Sequence, residues 1–73
     1  MEHQITLILN LHYRQAEGIR KKLEKLSVEQ RVGVEGMVRE YFSIPPSSRK
    51  RELRTMIALI IGCQPNYTGK SNL

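Results

Sequence analysis

Two adjacent prolines, Pro45 and Pro46, constrain this chain more than any other pair of residues. Neither has an amide proton to donate, and a proline pushes the residue before it, here Ile44, out of helical geometry. A helix arriving from the amino side must stop near Phe42, and Ser47 or Ser48 is placed to cap the next one. A second break lies upstream, where Ser27 and Gln30 have the spacing of a capping box. The serine hydroxyl accepts from the third amide of the helix while the glutamine side chain reaches back to the cap. Helices are therefore expected over residues 28–42 and 48–62.

The segment before Ser27 supports two periodicities. With period two, Ile5, Leu7, Leu9, Leu11 and Tyr13 fall on one face, as in a strand. At about 100° per residue, Ile5, Ile8, Leu9, His12, Ala16, Ile19, Leu23 and Leu26 fall within an arc of about 100°. The helical phase runs unbroken through both halves, and no turn residue separates Tyr13 from Arg14. One long helix over residues 4–25 is therefore expected, with Gly18 a weak point costing about 1 kcal/mol relative to alanine. Leu7 and Leu11 then lie off the main stripe, a second ridge suited to another subunit. The strand phase defines the alternative, a ribbon-helix-helix dimer in which Asn10 and His12 face a DNA groove.

Within residues 28–42 the expected buried face is Val34, Met37, Val38 and Tyr41, with Phe42 at its margin. The last helix changes character midway, from basic (Arg49, Lys50, Arg51, Arg54) to apolar on every side over 56–61. A helix apolar all round is surrounded all round, and two other helices cannot do that alone. Met56, Ile60 and Ile61, with Leu7 and Leu11, are accordingly the expected protein interface. A chain of 73 residues also builds only a thin core. The expected architecture is all-α, a single helical domain over residues 1–63. It is a long helical hairpin plus a third helix, assembled as a homodimer. A flexible polar tail over 64–73 follows.

Charge is unevenly distributed. The 12 lysines and arginines exceed the 7 acidic residues, all of them glutamate, giving +5 with the histidines neutral. Residues 14–25 carry a net +3, residues 49–54 another +3, and the helix between them −1. Two basic clusters flanking a neutral middle suit a polyanion, because each cation that meets a phosphate releases counterions. For Arg20, Lys21 and Lys22 an ordinary solvated face is an equal explanation. Glu17 precedes Lys21 by four residues, and positive charge near a helix carboxyl end complements the dipole. Arg49, Lys50 and Arg51 stand at a helix amino end, where they oppose the dipole and gain nothing locally. A helix-turn-helix would point that end, with Arg54, into a major groove, although Ile44-Pro45-Pro46-Ser47 replaces the usual glycine-containing turn.

These features define a small non-enzymatic regulator that binds DNA through Arg49, Lys50, Arg51 and Arg54, supported by Arg20, Lys21 and Lys22. The alternative is an adaptor or inhibitor docking its apolar ridge on a larger protein. No cofactor or metal is expected. One cysteine excludes an internal disulfide, and His3, His12 and Cys63 do not have ligand spacing. His12 is expected as a core or interface histidine and Cys63 as a small packed hydrophobe. Without aspartate, and with no carboxylate beside a candidate base, acid–base catalysis lacks its parts. Gly69-Lys70-Ser71 has the ending of a phosphate loop but not its first glycine. Asn66-Tyr67-Thr68 fits a glycosylation acceptor. The apolar run over 56–63 falls short of the ~20 residues a membrane span needs, and the amino end lacks the positive stretch of a secretory signal. A cytoplasmic protein is expected.

Overall fold

The computed structural model describes residues 1–63, so the expectations for the tail, Asn66-Tyr67-Thr68 and Gly69-Lys70-Ser71 lie outside the described residues. Every regular element among them is helical: α1 Glu2–Leu9, α2 Tyr13–Glu24, α3 Val28–Ser43 and α4 Ser48–Ile61. The all-α expectation holds, and the count is four helices, not three. Ile5 to Leu9 is helical, which removes the ribbon alternative.

The long first helix does not form. Asn10 takes left-handed geometry at φ 55° and ψ 47°, a conformation asparagine tolerates better than most residues that carry a β-carbon. Its amide donates to the Leu7 carbonyl at 3.2 Å, and the Leu11 amide reaches back to the Thr6 carbonyl at 3.1 Å. This pair of bonds is a Schellman closure, which satisfies carbonyls that a helix end leaves bare. The restart is signalled as well: Gln15 Oε1 accepts from the His12 amide at 3.1 Å, as the third residue of a capping box does. His12 is the cap of α2 and is exposed, so it is not the core histidine its phase suggested.

The physical reason for the break lies in what the stripe must cover. Unbroken over 22 residues, it would run about 33 Å and need a partner along its whole length. Folded at Asn10, the same residues meet each other. Ile5, Ile8 and Leu9 of α1 join Ile19 and Leu23 of α2 in one buried cluster. Arg20 Nε lies 3.4 Å from Glu2 Oε2, fixing the two helices as antiparallel.

The second hairpin follows the expected punctuation. Ser27 Oγ accepts from the Gln30 amide at 3.1 Å, and Gln30 Oε1 accepts from the Ser27 amide at 3.0 Å. Val34 and Val38 are buried, Met37 and Tyr41 pack against the core, and Phe42 stands half-exposed at the margin. The chain leaves helical geometry at Ile44 and re-enters at Ser48. Gly62, at φ 80°, closes α4, with the Ala58 carbonyl accepting from the amides of Gly62 and Cys63.

The α4 helix touches all three others and forms the centre of the molecule. Leu53, Ile57, Ala58 and Ile61 are buried. The extra helix made by the break at Asn10 supplies cover from within the chain that three helices lacked. Even so, the apolar second half of α4 is not surrounded on every side: Leu59 points outward, 76% exposed. No helix among the described residues is long and apolar enough to cross a membrane.

Candidate nucleic-acid interface

Two of the cations at the start of α4, Arg49 and Lys50, are engaged within the chain. Arg49 donates from Nε to Glu40 Oε2 at 2.7 Å and from Nη2 to Glu40 Oε1 at 3.1 Å, a two-pronged pair from α4 to α3. Its Nη1 also donates to Glu52 Oε1 at 3.2 Å, one turn along α4. Hydrogen bonding from Arg49 holds the Glu40 carboxyl below its ordinary range, and the bonds from Glu40 and then Glu52 make Arg49 still harder to deprotonate. The Lys50 ammonium lies 4.5 Å from the centre of the Tyr41 ring, a cation–π contact on α3. These side chains brace the α3–α4 hairpin just beyond its proline turn. That local role answers the argument from the dipole, because Glu40 supplies the negative charge which the helix amino end does not.

Arg51 is exposed and Arg54 half-buried. The exposed side of α4 presents Arg51, Glu52, Thr55 and Leu59, while Leu53, Ile57 and Ile61 face inward.

The second cluster is arranged differently. Arg20 meets Glu2, and Lys22 Nζ donates to the Gly62 carbonyl at 3.3 Å. Lys21 is exposed, as are Arg14 and Lys25. These last three are spaced by seven and four residues, so at about 100° per residue they share an arc of about 40° along α2 and its cap. Glu17 and Glu24 occupy the neighbouring row and make no ion pair with them among the described residues. The guanidinium of Arg14 sits 6.0 Å from the Tyr13 ring centre. Arg14 and Lys25 are additions to the expected site, and the seven- and four-residue spacings that align them with Lys21 are present in the sequence.

The two basic clusters do not converge. Lys22 is tied to the carboxyl end of α4 and Arg49 sits at its amino end, about 20 Å away at 1.5 Å per residue.

The expected apolar ridge is also dispersed. Ile61 is 6% exposed and belongs to the core, Leu11 and Ile60 pack against that core, and Met56 is half-buried. Leu7 is 57% exposed, and neither it nor Met56 packs against that core. Cys63 packs against the core as expected of a small hydrophobe. No group of three histidine, cysteine or glutamate side chains gathers around a metal-sized space among the described residues. Comparison of the chain with protein-family models, with curated proteins and with solved structures finds no match.

Proposed function

We propose that this chain is a small non-enzymatic regulatory protein that binds DNA, acting as a homodimer in the cytoplasm. One observation carries the DNA reading: Arg14, Lys21 and Lys25 line a single exposed face of α2, apart from the ion pairs that occupy Arg20 and Arg49. Lys21 and Lys25 also complement the dipole at the carboxyl end of α2, but like charges in a row repel one another, and a polyanion turns the same row into favourable contacts. The dimer reading rests on a thin core beside large exposed apolar side chains, among them Leu7, Val32 and Leu59. The adaptor alternative has less to stand on, because Ile61 is buried and Leu11, Met56 and Ile60 are half-buried by the chain itself.

The test is a salt titration on labelled duplex DNA by fluorescence anisotropy. Three phosphate contacts give a slope near −2.7 per bound protomer in log affinity against log salt, about a 40-fold loss for each between roughly 50 and 200 mM. Absence of binding at roughly 50 mM salt removes the DNA reading. A monomer mass by size-exclusion with light scattering removes the dimer.

A further inference from the structure

We infer that α2 is a bridge across duplex DNA, reaching backbone phosphates on both walls of the major groove and reading no base; this rests on the DNA reading above. The row from Arg14 to Lys25 covers 11 residues of helical rise, about 16.5 Å. A major groove is about 12 Å wide and a minor groove about 6 Å. A helix laid across the wider groove therefore places Arg14 over one strand and Lys25 over the other, with Lys21 between them and nearer Lys25. A row of this length overshoots the minor groove.

One further observation favours a duplex over a single strand. Single-strand binders stack successive bases on several aromatic side chains, and α2 offers one, Tyr13, whose ring lies 6.0 Å from the Arg14 guanidinium. Gly18 stands on the same side of α2, about 40° from Arg14 and between Arg14 and Lys21. A β-carbon added at Gly18 would meet nothing within 4 Å, so internal packing does not require the glycine. Its cost to the helix is about 1 kcal/mol, and its bare backbone lets the helix body approach a phosphate-lined surface closely. Lysines on flexible stems and an arginine aimed at phosphates position a protein without selecting sequence.

The experiment measures anisotropy of the full chain with two unrelated duplexes of equal length, the matching single strand, and the double variant Arg14→Gln/Lys25→Gln. Both duplexes should bind alike, and the single strand about tenfold more weakly or worse. The double variant should lower the salt slope by about 1.8, two phosphates' worth. Its two side chains are exposed, and an unchanged circular dichroism spectrum confirms that its fold survives. Single strand bound as tightly as duplex, or an unchanged slope in the folded double variant, overturns the bridge and leaves DNA binding standing. Strong preference between the two duplexes also overturns it, because base readout would then be present. Failure of the unmodified chain to bind any of them overturns the bridge and the DNA reading together.

Discussion

Replacing Asn10 by alanine and by glycine distinguishes a hairpin of α1 and α2 from one continuous helix by the sign of the effect. In the folded chain Asn10 sits at φ 55° and ψ 47°, and its position allows the bonds from its own amide to Leu7 and from Leu11 to Thr6. Alanine in left-handed geometry costs about 1–2 kcal/mol because its β-carbon crowds the carbonyl, a cost glycine does not have. Glycine loses more backbone entropy on folding, so the net advantage of Asn10→Gly over Asn10→Ala should be about 1 kcal/mol. In a helix interior the order reverses, with alanine better than glycine by about 1 kcal/mol. The two geometries thus differ by about 2 kcal/mol in one comparison. A domain of this size has a total stability of roughly 4–11 kcal/mol, so neither change is lost in the noise. Thermal melts followed at 222 nm should place the glycine variant about 4–8 °C above the alanine variant. An alanine variant that melts higher than the glycine variant refutes the break at Asn10, and with it the packing of Ile5, Ile8 and Leu9 on Ile19 and Leu23.

Three other expectations follow from the same structure. Ser27→Ala removes the hydroxyl that accepts the Gln30 amide and should cost about 1 kcal/mol in urea denaturation. Gly33→Ala and Gly36→Ala place a methyl where nothing lies within 4 Å; each should raise stability by up to about 1 kcal/mol, and a loss in either would reveal an unseen neighbour. Glu40 binds its proton less readily when folded than its ordinary value of 4.5, chiefly through the hydrogen bond from Arg49. A carboxylate with a depressed folded pKa contributes stability above its unfolded pKa and loses that contribution as pH falls through the folded one. The gap in urea midpoint between the parent chain and Glu40→Gln should therefore be widest near neutrality and close on acidification below about pH 4.5. A gap independent of pH would mean that the pair contributes nothing through its charge.

The apolar side chains that face inward were legible because burial obeys helical phase whichever way the chain runs. Ile5, Ile8, Leu9, Ile19, Leu23, Val34 and Val38 sit in the core as their spacing demands. The path between them was not legible by the same rule. A stripe keeps its phase across a short break, so the periodicity that located Ile8 and Ile19 could not report that the chain reverses between them. The reversal is written instead in Asn10 and in the His12–Gln15 spacing, signals less familiar than the Ser27–Gln30 box. For the charges, counting by segment located the excess but not its availability. Arg49 is separated from Glu40 by nine residues in sequence and 2.7 Å in space, a closeness that only the tight proline turn produces. Lys21 and Lys25, with Arg14, share a face by the same helical spacing that aligns the apolar residues.

The position of α4 in chain order affects how the molecule is made. The helix at the middle of the fold follows the other three, and it is the surface on which they converge. During synthesis α1 and α2 can close on each other, but that hairpin and α3 emerge without the helix that joins them. Cooperative closure has to wait for Ile57 and Ile61, so a ribosome pausing before them leaves a nascent chain open to proteases and to its neighbours.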